Sequence, residues 1–169
     1  MNSKQKLFLK AFLFNGISFG ILMTLLEYLW GYKIILHVQI IKAAIFGTVL
    51  SLTGVIIQIR AIRRLVNGKI KEEDLEVTQS FTFSMEHDLK KIYNQLTTTK
   101  PTNSWNLKID NSIITGRTNG SWYAKGDKIT ITSMIDEIEI KSNPIARFIY
   151  FDNGRNKKNV LMIKDIIKN

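Results

Sequence analysis

The feature that most constrains this chain is a pair of long apolar runs, Leu7 to Trp30 and Ile34 to Ile59, set almost back to back. About 20 helical residues, at about 1.5 Å each, cross the roughly 30 Å hydrocarbon layer of a bilayer. Each run reaches that length, so the pair predicts a transmembrane helical hairpin over residues 1–66. A cleavable signal peptide is the competing account of the first run. That run ends in Glu27-Tyr28-Leu29-Trp30 with no small-residue cleavage site, and a second apolar run follows at once, which favours the hairpin.

Flanking charge orients the pair. Lys4, Lys6 and Lys10 precede the first run and Arg60, Arg63, Arg64, Lys69 and Lys71 follow the second, whereas the connection offers Lys33, with Lys42 further along. Positive residues are retained on the cytoplasmic side, so both termini are expected there. Residues 67–169 are then a cytoplasmic domain. Tyr28, Trp30 and Tyr32 suit the outer interface as an aromatic belt. His37, Gln39 and Lys42 interrupt the start of the second run, leaving Ile34 to Lys42 open to an interfacial or a spanning reading, since Ala43 to Ile59 is adequate alone. Glu27 and Lys42 are expected at the outer boundary, within reach of each other.

Both runs carry small residues at helical spacing. Gly16 and Gly20 form a Gly-x-x-x-Gly pair, and Ala43, Gly47, Ser51 and Gly54 recur at intervals of four, four and three. Such stripes let helix backbones approach closely. They predict packing within the hairpin, with homo-oligomerisation or docking on another membrane protein as the alternative.

The remainder reads as an α+β domain: an antiparallel sheet with two helices packed on one face. Leu75, Val77, Gln79, Phe81 and Phe83 alternate with polar residues, as in a half-buried strand. Ser84 is placed to cap a helix over Met85 to Leu96, with His87 on its solvent side. Two hairpins follow, one about Asp110-Asn111 and one about Asp136. Arg147 to Phe151 is expected as a short last strand. The amphipathic stretch of Val160, Ile163 and Ile167 closes the chain as a helix, with Lys157, Lys158, Lys164 and Lys168 outside.

Composition narrows the function. With no cysteine in 169 residues there is no disulfide framework and no thiolate metal site. The formal charge of +10 belongs to the whole chain and is shared between the apolar part and a domain whose charges alternate in sign, so no continuous basic stripe points to nucleic acid. No Ser, His and acid set, phosphate-cradling glycine loop or metal cluster is recognisable, and no catalytic residue, metal or cofactor is assigned. Glu137 and Glu139 share one exposed strand face.

Loops hold the best candidates, since loops carry function more often than cores do. Segments 121–127 and 153–159 place Trp122, Lys125, Arg155, Asn156 and Lys157 near strand and helix ends. If the segments meet, they could hold an anion such as a phosphate or lipid headgroup. The alternative is a plugged turn and a solvated helix start.

The order Ser121-Trp122, Gly126-Asp127-x-Ile129-x-Ile131, Ser142-x-Pro144 and Asp152-x-Gly154-Arg155-Asn156-x-x-Asn159-Val160 resembles a pattern in uncharacterised small bacterial membrane-tethered proteins with a soluble α+β domain. The resemblance covers about Leu75 to Asn169. It implies a compact domain with two loops worth mutating, and no particular chemistry. The expected place is the bacterial inner membrane. The expected role is a non-catalytic domain binding a partner protein or small anionic ligand. A scaffolding subunit recognised through the hairpin, or an enzyme on lipid headgroups, is the alternative.

Overall fold

A computed structural model describes residues 2–66, 68–84, 88–120, 125–134, 136–146 and 149–168. The chain is α+β, two long apolar helices followed by a five-stranded antiparallel sheet with two further helices on one face. Helix α1 runs Ser3–Leu29 and α2 Leu36–Leu65, about 40 and 45 Å long. A capping box starts α1: Asn2 Oδ1 accepts the Gln5 N–H at 2.9 Å and Gln5 Oε1 accepts the Asn2 N–H at 3.0 Å. His37, Gln39 and Lys42 lie within the continuous α2 rather than in a separate segment.

Glycine brings the helices together. A Cβ on Gly47 would lie 3.0 Å from Gly16 Cα and 3.0 Å from the Phe12 carbonyl oxygen, and one on Gly20 would lie 3.1 Å from Ala43 Cβ. Next along the seam, fully buried Ser51 accepts a hydrogen bond from Asn15 Nδ2 at 3.2 Å. Toward the connection, Phe19 stacks on Phe46 with ring centroids 3.7 Å apart. Lys42 Nζ pairs with Glu27 at 2.5 Å, and the Gln39 amide donates to the same carboxylate.

The sheet comprises β1 (Gln79–Ser84), β2 (Asn106–Asp110), β3 (Ile113–Arg117), β4 (Asp127–Met134) and β5 (Glu137–Pro144), in spatial order β1-β5-β4-β3-β2. Strands β2 to β5 form a meander, and β1 completes the edge beside β5. The turns use left-handed residues where short polar side chains tolerate them, Asn111 at φ 40° and Asp136 at φ 61°. Helix α3 (Leu89–Thr98) links β1 to the far edge, and α4 (Arg155–Lys168) returns over the same face. Period two in the strands puts Leu107, Ile114, Ile129, Ile131, Ile138 and Ile140 on that face, against Leu89, Ile92 and Leu96 of α3 and Val160, Ile163 and Ile167 of α4.

Three expectations are corrected. The first strand starts at Gln79, not Leu75, because Glu73–Leu75 is a 3-10 turn. The buried Gln79 amide holds that turn by donating to the carbonyls of Glu73, Asp74 and Glu76. The next helix starts at Leu89, since Ser84 is still paired with Glu137 in the sheet and Asp88 Oδ1 is the cap, accepting the Lys90 N–H at 2.8 Å. Met85, Glu86 and His87 lie outside the described residues. No strand forms at the described residues 149–151 of the expected last strand; Tyr150 and Phe151 pack on the hairpin instead.

Candidate functional site

The described polar residues of the motif, Asp127, Ser142, Asp152, Arg155, Asn156 and Asn159, come together at one end of the sheet's inner face. Alternation along β4 continues the Ile131, Ile129 stripe to Asp127, and register places Ser142 of β5 opposite Ile129. Both are fully buried beneath the first turns of α4. On α4 the spacing of Asn156, Asn159, Val160, Ile163 and Ile167 makes one face, polar at its start and apolar beyond. The polar ends of strand and helix therefore meet.

Arg155 grips Asp127 with two parallel bonds, Nε to Oδ2 at 2.6 Å and an Nη to Oδ1 at 2.7 Å, the bidentate form that gives this pair strength and direction. Asn159 Nδ2 donates to Asp127 Oδ2 at 3.0 Å and to Ser142 Oγ at 3.2 Å. Ser142 in turn donates to Asn156 Oδ1 at 2.5 Å.

Asp152 closes the network from the other side. Its carboxylate accepts the N–H groups of Gly154 at 3.0 Å and Asn156 at 2.8 Å, the Asn156 side-chain amide at 2.8 Å, and Gln58 Nε2 of α2 at 2.9 Å. A carboxylate at the start of α4 meets free backbone donors and the positive end of the helix dipole. Gln58 is fully buried, so this last bond ties the α+β domain to the helix pair in a space closed to solvent. Around it, a Cβ on Gly54 would run into the Phe151 ring, and one on Gly154 would lie 3.1 Å from Leu65 Cδ1 and 3.6 Å from Ile62 Cγ1. Gly54, Gln58, Ile62 and Leu65, spaced four, four and three, thus form the docking face of α2.

The residues expected from sequence fall into three groups. Gly16, Gly20, Ala43, Gly47 and Ser51 face the seam of the helix pair, whereas Gly54 faces Phe151 of the α+β domain. Segments 121–127 and 153–159 do meet, but through Asp127 with Arg155 and Asn159, and Asn156 is fully buried. Arg155 and Asn156 are therefore both engaged within the fold. Lys157 is not on the outside: its Nζ pairs with buried Asp74 at 2.7 Å. Lys164 likewise lies over the Phe81 ring, 4.2 Å from its centroid. Lys125 is exposed, and Trp122 lies outside the described residues.

The residues that sequence reasoning missed are Gln58 and the inward acids Asp127 and Asp152. Gln58 carried a signal, being an amide among Val55, Ile56, Ile57 and Ile59, four residues from Gly54. Among the described residues, no group of three or more His, Cys, Asp or Glu is placed to hold a metal ion.

The Lys157 pair offers a direct check of this arrangement. Lys157→Met removes the cation from buried Asp74, whose carboxylate keeps the Lys71 N–H, and is expected to cost about 2 kcal/mol of domain stability, as for a buried acceptor that loses one partner. Lys125→Met is expected to stay within about 0.5 kcal/mol, as exposed substitutions do. Thermal melts of the two variants of the full chain make the comparison.

These features define a class: an apolar helical hairpin carrying an α+β domain that is locked to it by a buried polar network. No known protein family, curated protein or solved structure matches the chain.

Proposed function

We propose that the protein is an integral protein of a bacterial cytoplasmic membrane, with both termini in the cytoplasm, and that its α+β domain is a non-catalytic binding module held at the membrane surface. The observation that carries this reading is where the exposed apolar side chains lie. Among the described residues, every exposed large hydrophobic except Met134 falls between Leu9 and Ile57. In water such a surface is a continuous apolar patch far beyond what soluble proteins carry, whereas a bilayer covers it. The basic flanks of both helices at the end bearing the domain support the orientation.

Binding rather than catalysis is supported by how the polar residues are used. Among the described residues, the three buried acids that meet α4 are engaged by Lys157, Arg155, Gln58, amides and backbone N–H groups. A general acid or base would need a lone pair or proton facing substrate. The small-residue stripes are already filled by contacts inside the chain, which weighs against their recruiting a separate membrane protein.

A fluorescent protein fused behind Asn169 is expected to fold and fluoresce, alkaline phosphatase at the same place is expected to stay inactive, and the chain is expected to resist alkaline carbonate extraction. An active phosphatase fusion, or release by carbonate, would overturn the reading.

A further inference from the structure

We infer that the crevice between the helix pair and the soluble domain binds the phosphate of an anionic phospholipid, with Arg64 and Lys158 as its ligands. The inference rests on the membrane reading above and adds the ligand.

The crevice, of about 660 Å³, has the size of a small-molecule pocket. Its walls come from α1 (Phe14, Asn15), the end of α2 (Ala61, Arg64), the 149–154 loop (Tyr150) and the start of α4 (Lys158). Those walls are graded. At the level of Phe14 and Tyr150, whose rings lie 5.3 Å apart, the lining is aromatic and apolar. At Arg64, ten residues beyond Gly54 on α2, it becomes cationic.

Charge in the crevice is unbalanced. Arg155 is spent on Asp127, and Asp152, the carboxylate in this wall, is buried and already accepts four N–H groups. Arg64 and Lys158 are both exposed, and neither side chain makes a hydrogen bond or ion pair within the described residues. The neighbouring crevice beside Lys157 differs in this respect: its Lys69, Lys71 and Lys157 are matched by Glu73, Asp74 and Glu76, and two of the lysines are ion-paired within it.

The order of chemistry along the hairpin matches a phospholipid standing beside it. Acyl chains lie along exposed Ile17 and Ile21, three and seven residues beyond Phe14 on the same face of α1, the glycerol region meets Tyr150 and Asn15, and the phosphate meets the two cations. Basic residues just beyond a membrane helix act on anionic headgroups in this way. A free phosphate shares the headgroup's charge but not its apolar tail, which the aromatic wall would leave unused.

The test uses the full chain in a neutral detergent, with dihexanoyl phosphatidylglycerol, dihexanoyl phosphatidylcholine and inorganic phosphate as probes, and native mass spectrometry together with thermal melts as readouts. The wild type is expected to retain one phosphatidylglycerol, and the Arg64→Gln/Lys158→Gln double variant to bind it roughly thirtyfold more weakly, about a fivefold loss per cation. Phosphatidylcholine is expected to bind both proteins equally and weakly. Because both side chains are exposed, the melt of the double variant without lipid should match wild type. Equal phosphatidylglycerol retention by the two proteins would overturn the assignment. Inorganic phosphate displacing the lipid or matching its stabilisation would also overturn it, in favour of a soluble anion. Either result leaves the membrane reading intact, because that reading stands or falls on the carbonate and fusion experiments.

Discussion

Asp127→Ala is expected to lower the thermal midpoint of the α+β domain by roughly 15 °C, measured by circular dichroism on the detergent-solubilised full chain. Asp127 is fully buried, and its carboxylate receives both prongs of Arg155 and the Asn159 amide. Removing one partner of such a pair leaves the other desolvated and uncompensated, at a cost of about 3 kcal/mol here, the low end of the range because Arg155 keeps some contact with solvent. In a domain of about a hundred residues each kcal/mol moves the midpoint by about 4–8 °C. The double change Asp127→Leu with Arg155→Met separates the two causes. It removes the charge together with its partner, so part of the loss should return. A midpoint for Asp127→Ala within about 3 °C of wild type would mean that the network contributes little to stability.

Much of the architecture was legible because it is written locally. Two apolar runs of spanning length announce a helix pair, strict alternation announces strands, and Asp110-Asn111 and Asp136 announce the turns between them. The misreadings have a common physical origin in contacts with distant parts of the chain. Leu75 and Val77 extend the alternation of β1, yet three carbonyls of that segment are taken by the Gln79 amide, which curls it into a turn. Residues 149–151 do not alternate because their rings answer to Phe14 and Gly54 of the helix pair, not to a neighbouring strand.

The candidate site was half legible for the same reason. Polar residues at a helix start look alike whether they face a ligand or a core, so Asn156 and Arg155 read as donors. The discriminating information was nevertheless present. Asn156 and Asn159 precede Val160, Ile163 and Ile167 on one helical face, and Asp127 precedes Ile129 and Ile131 at period two, so both polar ends point inward. A residue on the apolar face of two elements at once belongs to their junction. What no local pattern could supply was the partner of Asp152, since Gln58 lies 94 positions earlier.

Gly54→Leu is expected to pull the α+β domain away from α2 while leaving the helix pair closed, and Gly47→Leu to do the reverse. The two glycines share one stripe in the sequence but meet different neighbours, Gly47 the backbone of α1 and Gly54 the ring of Phe151. At Gly47 the obstruction is backbone, which cannot rotate aside, so the helices must separate. At Gly54 the ring and its loop must shift, taking Asp152 away from Gln58. Overpacking of this kind costs about 1–3 kcal/mol, enough to reduce the closed population roughly tenfold. The absence of native cysteine makes the measurement clean, because introduced pairs are cross-linked without background. Asn15→Cys with Ser51→Cys reports the helix seam, and Phe14→Cys with Tyr150→Cys, bridged by a short bis-thiol reagent, reports domain docking. Gly54→Leu should reduce the second cross-link and spare the first, and Gly47→Leu should reduce the first more than the second. If both leucines reduce both cross-links alike, helix pair and domain form a single cooperative unit, and the polar network around Asp152 is then the hinge through which each holds the other in place.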